Sequence, residues 1–360
     1  MTTTRRHRLA FLVVLTLAVA AACSSDPSPN GDAGPKPGPS ATTGPADPGS
    51  TATTVPSGCR RATPPTAGTE RITVPYGGVD RVYERVIPPV YDGTTPRPLI
   101  INVHGFTSTI EQQNLFSDLP KEAADRGYLL ITPQAAPATL SIGGQDISAP
   151  YWNLAVDGAA TIPGAQDDVG FLTQLIESTA AELCVDDARI YVTGNSNGAG
   201  MAATLACALP GRLAAIAPVS GINLAAPCDD LEPVSVIAFH GDTDPLVPYN
   251  GGSAANVDTA NPSVVSRTGE FAAADGCQPD PEVTKPFDDI EARRWTGCQP
   301  GTAVELDTVV GGGHTWPGML NYVDVARLAE LASDQRLLDL ADVDVGAVAG
   351  HMTTNLEATT

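Results

Sequence analysis

The run Ile190-Tyr191-Val192-Thr193-Gly194-Asn195-Ser196-Asn197-Gly198-Ala199-Gly200 is an apolar strand pattern that enters a Gly-x-Ser-x-Gly turn and leaves as a helix of small residues. Few folds accommodate such a junction. The strand has to be buried, the turn has to stand at its carboxyl end, and the helix has to pack back against the sheet. Glycines two residues to either side of Ser196 remove side chains that would collide where strand and helix cross. Ser196 is therefore a candidate nucleophile. In a chain with 35 glycines the pattern alone is weak. It gains meaning only if an acid and a histidine follow it and a loop of backbone donors precedes it.

The rest of the chain is consistent with a sheet of this kind. Strand-like runs are expected at residues 71–76, 81–87, 98–103, 128–132, 189–193, 214–219, 235–240 and 306–310, with helical patterns at 112–126, 167–183, 199–209 and 264–274. Two opening strands followed by strand–helix alternation, with unbroken apolar runs such as Leu99-Ile100-Ile101-Asn102-Val103, predict an α/β fold. Its central sheet is mainly parallel, with helices on both faces. No internal repeat or second linker interrupts residues 59–360, which read as one domain.

In a parallel sheet the reactive groups stand on loops at the carboxyl ends of strands. His314 follows the last strong strand in Gly311-Gly312-Gly313-His314-Thr315-Trp316-Pro317-Gly318, where glycines let the backbone bend an imidazole toward a distant serine. His351, near the carboxyl terminus, is the fallback base. The acid is sought between serine and histidine, and His240-Gly241-Asp242-Thr243-Asp244 offers two aspartates just after a strand. Asp244 is chosen, with Asp242 as the cap of the turn and His240 packed at the strand end. An oxyanion needs two N–H donors, taken from Asn197 and from the loop Val103-His104-Gly105-Phe106-Thr107, with Phe106 ahead of Thr107. His104 reads as a structural residue of that loop. Trp152, Tyr249 and Trp316 flank these positions and are candidates for stacking on substrate, with packing at the mouth of the site as the equal alternative. Asp167 and Asp168 look like metal ligands but are explained by a helix N-terminus, so no metal or cofactor is called for.

The chain begins as an exported one. Arg5, Arg6 and Arg8 precede an apolar run at 9–22, a signal peptide, and Ala20-Ala21-Ala22-Cys23 resembles a lipoprotein cleavage box that would leave Cys23 lipidated. Removing Cys23 from seven cysteines leaves an even set: Cys59, Cys184, Cys207, Cys228, Cys277 and Cys298. Proximity pairs Cys207 with Cys228 and Cys277 with Cys298, leaving Cys59 with Cys184, among fifteen arithmetical possibilities. Residues 23–58, rich in Pro, Gly, Ser and Thr, read as a disordered tether on a membrane anchor. A net charge of −21 argues against nucleic-acid or anionic-membrane partners, since either would require a basic face.

With these residues assembled, the chain resembles the polyhydroxybutyrate depolymerase-like and feruloyl or acetylxylan esterase family of α/β-hydrolases. The likeness runs from about residue 59 onward through Val103-His104-Gly105-Phe106, Tyr151-Trp152-Asn153, Asp167-Asp168-Val169, Glu182-Leu183-Cys184-Val185-Asp186, Gly194-Asn195-Ser196-Asn197-Gly198, His240-Gly241-Asp242-Thr243-Asp244 and Gly312-Gly313-His314-Thr315-Trp316-Pro317-Gly318. It implies a secreted serine esterase with nucleophile Ser196, acid Asp244 and base His314, acting on polyester or on feruloyl or acetyl esters. It also implies a closing helix beyond Thr353, where this chain stops at Thr360, and the sheet is expected to expose apolar surface there. Two other readings stay open at this point: a serine peptidase of the same fold, and an inactive wall-tethered binding protein.

Overall fold

A computed structural model of the chain describes residues 57–60, 63–142, 145–253 and 260–318. The signal peptide, Cys23, almost all of the tether, His351 and the closing segment lie outside the described residues.

The strands are β1 (Gly68–Tyr76), β2 (Val79–Ile87), β3 (Arg97–Val103), β4 (Leu129–Pro133), β5 (Pro137–Ile142), β6 (Gln145–Pro150), β7 (Val185–Asn195), β8 (Ala215–Val219), β9 (Ser235–Gly241), β10 (Glu282–Phe287), β11 (Ile290–Trp295) and β12 (Val304–Val309). The helices are α1 (Ile110–Ser117), α2 (Leu119–Arg126), α3 (Asp168–Glu182), α4 (Asn197–Ala208) and α5 (Val264–Ala274). All strands but β5 and β6 join one sheet in the order β1-β2-β4-β3-β7-β8-β9-β12-β11-β10. The run from β4 to β12 is parallel, and the pairs at both ends are antiparallel.

Burial explains why the apolar runs became the central strands. On β3, Leu99, Ile101 and Val103 enter the larger core, which includes Leu172 of α3 and Leu205 of α4. Ile100 points the other way, into a smaller core with Leu119 and Ala123 of α2. Both sides of the strand are covered, so both alternating sets of side chains are apolar.

The structure departs from the sequence expectation in two ways. The helix expected over 112–126 is split at Asp118, which takes φ 50° and closes α1 by donating its N–H to Asn114 O. Pro120 follows in the first turn of α2, where a missing N–H is tolerated; inside one continuous helix it would break the ladder. The hairpins β5–β6 and β10–β11 were not anticipated. β10 is exposed along its whole length, so no alternation marks it.

Three disulfides tie the periphery to this frame: Cys59–Cys184, Cys207–Cys228 and Cys277–Cys298. The first reaches across 125 residues of sequence.

Candidate active site

Ser196 stands between β7 and α4 with φ 55° and ψ −119°, a conformation that L-residues avoid. Such strain costs roughly 1–3 kcal/mol and persists only where the surroundings over-determine it. Here the Ser196 N–H donates to Val219 O of β8 at 2.8 Å, and its carbonyl accepts from Ala199 and Gly200 in the first turn of α4. The flanking glycines are required by backbone contact. A Cβ on Gly194 would lie 2.5 Å from Val103 O, and one on Gly198 would lie 2.2 Å from the same atom and 2.6 Å from His104 O. The turn is thus wedged against the end of β3, and no alanine fits at either position.

Asp244 and His314 meet at the carboxyl ends of β9 and β12. His314 Nδ1 lies 2.8 Å from Asp244 Oδ2, and both side chains are buried. Asp244 Oδ1 accepts the N–H groups of Leu246 (2.8 Å) and Val247 (2.9 Å), which locks the carboxylate plane. His240 Nε2 is 3.2 Å from Asp244 Oδ2 and 2.8 Å from Val247 O, so the proton on that nitrogen serves two acceptors. Burial pushes the Asp244 carboxyl up, but hydrogen bonds from His240 and His314 outweigh it and hold the group well below the usual carboxylate range. Because His314 Nδ1 faces a carboxylate, its proton resides there, and Nε2 is left as a base.

The loop that carries His314 is gripped by the turn that carries Asp244. Asp242 Oδ1 accepts the Gly311 N–H at 2.7 Å, and Thr243 donates to Gly312 O from its N–H at 3.0 Å and its hydroxyl at 2.8 Å. A Cβ on Gly241 would sit 2.2 Å from Gly312 O, so the two loops touch through their backbones. Asp242 is therefore a loop anchor, in keeping with its reading as a turn residue.

On the other side of Ser196, the loop after β3 is built around His104. The ring is buried, with Nδ1 donating to Gly105 O at 2.7 Å and Nε2 accepting the Ala135 N–H at 3.0 Å. Loss of solvation drops its pKa to about 4, so the imidazole is neutral and structural. Trp152 Nε1 donates to His104 O at 2.9 Å and closes the loop from below. The Thr107 N–H is consumed by Pro150 O at 3.0 Å, whereas the N–H groups of Phe106 and Asn197 have no acceptor among the described residues. Those two are the donors left for a ligand. The Asn197 side chain is occupied elsewhere: its Oδ1 accepts the Trp152 N–H at 2.7 Å and its Nδ2 donates to Trp152 O at 3.0 Å.

The 152–153 segment is held in turn by a buried ion pair. Asp168 accepts from Arg81 at 2.7 Å and from the Asn153 N–H at 2.8 Å, while the Arg81 guanidinium lies 3.9 Å from the Phe171 ring centroid. Asp167 caps α3 by accepting from Gly170 N. Both aspartates are thus spent on architecture. Among the described residues no group of three His, Cys, Asp or Glu is arranged to hold a metal ion.

The three aromatic residues expected to meet substrate are elsewhere. Trp152 is fully buried beneath the β3 loop, and Trp316 packs in the smaller core. Tyr249 is buried with its hydroxyl 2.8 Å from Thr308 Oγ1 and its ring against His240. Trp152 and Tyr249 were drawn into the interior because the apolar body of each carries a polar tip that found an internal partner, and Trp316 was drawn in by apolar packing. The wall is formed instead by a cavity of about 780 Å³ that takes in Ser196, Asn197, Phe106 and His314. Phe116, Tyr151, Leu154 and the Leu224–Pro227 stretch make most of it apolar. Sequence reasoning missed these residues because single apolar positions scattered over separate segments carry no periodicity that marks a shared wall.

Residues 90–263 match the Phospholipase/Carboxylesterase family, a span that holds Ser196 and Asp244 and ends before His314. Feruloyl esterase B of Piromyces equi is 30% identical over 236 residues, covering 63% of this chain and 41% of that protein. Feruloyl esterase C of Emericella nidulans is 28% identical over 198 residues, covering 55% of this chain and 63% of that protein. The chain thus spans less than two thirds of the length of either relative. Among solved structures, the acetyl xylan esterase from Aspergillus awamori superposes with a TM-score of 0.50 at 16% identity, covering 73% of this chain and 98% of that one. At that identity the likeness concerns the fold.

Proposed function

We propose that this chain, which has the α/β-hydrolase fold, is an extracellular serine esterase that cleaves carboxylic esters through an acyl-enzyme. The observation that supports this best is the Asp244–His314 contact on the wall of the cavity that also holds Ser196. In the first step His314 Nε2 takes the hydroxyl proton of Ser196 as its oxygen attacks the ester carbonyl, and Asp244 stabilises the imidazolium that forms. The N–H groups of Phe106 and Asn197 receive the oxyanion, each worth about 3–4 kcal/mol of transition-state stabilisation. His314 then protonates the departing alcohol, and water repeats the sequence in reverse to free Ser196.

The apolar wall suits an acyl chain or an aromatic acid better than a peptide, whose amides would lose hydrogen bonds to water on entering. Feruloyl and acetyl esters of plant polysaccharide, and polyhydroxybutyrate-type oligomers, are the substrate classes proposed. Residues 59–360 are proposed as the catalytic domain, exported behind the signal peptide and held to a membrane through lipidated Cys23. The test is a panel of acetyl, butyryl, feruloyl and hydroxybutyrate-oligomer esters, given to the wild type and to Ser196→Ala. Turnover of at least one ester that disappears in the alanine variant is expected. Full turnover by Ser196→Ala, or turnover of peptides only, would overturn the reading.

A further inference from the structure

Among the described residues, the cavity beside Ser196 carries one permanent cation. Among the described residues that line it, Arg267 of α5 is the only lysine or arginine, and no aspartate or glutamate shares the wall. Its side chain is only 5% exposed. Such a group is normally ringed by acceptors, because a guanidinium brings five N–H donors out of water. Here Nη1 pairs with Glu270, which is itself 47% exposed, while Nε is buried with no hydrogen-bond partner among the described residues.

Arg267 also stands at a seam. A second cavity of about 370 Å³ abuts the first, and both are lined by Ala225, Ala226, Pro227 and Arg267. Glu270 lines the second cavity and not the first, so the counter-charge sits on the far side of the arginine from Ser196. Seen from the reacting end, the chamber is apolar and ends in an under-satisfied guanidinium. The chemistry that complements it is a planar anion on a short apolar chain, since a carboxylate accepts from a guanidinium in a paired, charge-assisted geometry. A net charge of −21 gives an anion no general reason to approach this protein, so a cation inside the cavity acts as a local selector.

We infer that Arg267 is a specificity-determining residue that binds a free carboxylate on the substrate, remote from the ester bond that Ser196 attacks. The substrate class is then an ester with a free acid: a half-ester of a dicarboxylic acid, with the carboxylate on the acyl part, or a hydroxy-acid oligomer, with the carboxylate on the alcohol part. This inference rests on the esterase reading above.

The experiment compares each acid with its neutral carboxamide, in two arms. The acyl arm uses mono-p-nitrophenyl adipate, and the alcohol arm uses 3-butyryloxybutyrate. The quantity read is the ratio of kcat/KM for the acid to kcat/KM for the amide, in the wild type, Arg267→Gln, Arg267→Lys and Glu270→Gln. The wild type is expected to prefer the acid in one arm, which identifies the side of the ester that carries the anion. In that arm Arg267→Gln lowers the ratio at least tenfold, mainly through KM, and Arg267→Lys restores part of it. Glu270→Gln, at a half-exposed position, raises the ratio by releasing the guanidinium, and it decides the matter if Arg267→Gln does not fold. A wild type that cleaves the amides but shows no acid preference in either arm overturns the inference and leaves the esterase reading standing. A ratio that does not respond to Arg267→Gln or to Glu270→Gln has the same effect. A wild type that cleaves neither form of either ester overturns both.

Discussion

Replacing Asp244 with Asn tests the acid while keeping the size and shape of the side chain. The carboxylate has four donors around it: two backbone N–H groups on Oδ1, from Leu246 and Val247, and two imidazoles on Oδ2, from His314 and His240. An asparagine can keep its oxygen toward the two backbone donors, so the 244–247 turn should survive. Its amide nitrogen must then face the imidazoles. His314 answers by presenting Nδ1 as an acceptor, which moves its proton to Nε2, the atom needed to receive the proton of Ser196. The expected loss is about 10⁴-fold in kcat, equal to about 5.4 kcal/mol at 1.36 kcal/mol per decade. Loss of charge-assisted bonds should lower stability by about 1.5–3 kcal/mol. The native carboxyl is held below its ordinary value, so folding favours its charged form. That contribution is complete above about pH 4 and drains away as pH falls further, and the acid limb of the stability curve should therefore flatten in the variant. Steady-state kinetics on a p-nitrophenyl ester, with urea unfolding at pH 7 and pH 3, measure both effects. A loss of kcat under tenfold in a folded Asp244→Asn protein would refute the assignment of the acid.

Three further outcomes follow from the geometry. Gly198→Ala puts a Cβ 2.2 Å from Val103 O, a backbone atom that cannot swing aside, and a displaced elbow should cost at least about 10²-fold in kcat/KM or abolish soluble expression; wild-type kinetics would count against the wedge. Removing Cys59–Cys184 should destabilise more than removing Cys207–Cys228, because closing 125 rather than 21 residues of chain differs by about 1.6 kcal/mol of loop entropy; equal urea midpoints for the two double-serine variants would contradict this. Asp275 is buried and its pKa is pushed up to about 6 by lost solvation, so wild-type stability should rise as pH falls from 6 toward 4. Asp275→Asn should remove that rise and stabilise the protein at pH 7 by about 1–3 kcal/mol, a gain of roughly 2–6 °C in a melting experiment.

The sequence by itself determined the parts of this protein that are periodic or that depend on a short run of residues. The strand-turn-helix at Gly194–Gly198, the apolar β3 run and the α5 pattern at 264–274 were legible because backbone geometry within a dozen residues decides them. The cysteines paired as their spacing suggested. Asp242 and His104 were recognised as loop residues from their place just after a strand, although the backbone each one holds, at Gly311 and at Ala135, comes from a distant segment. Tertiary structure alone decided what long-range packing controls. Trp152, Tyr249 and Trp316 look alike in sequence to aromatics at a mouth, yet each is buried because a partner from a distant segment waits inside: His104 O, Thr308 and the core around Phe239. His240, read as a strand-end packing residue, turned out also to reach Asp244, four residues on, because the chain doubles back after β9. The lining of the cavity and the place of Arg267 on it come from segments scattered from Gly105 to His314 and folded to one spot. No window of sequence contains that convergence, since burial depends on which distant surfaces the sheet order brings together.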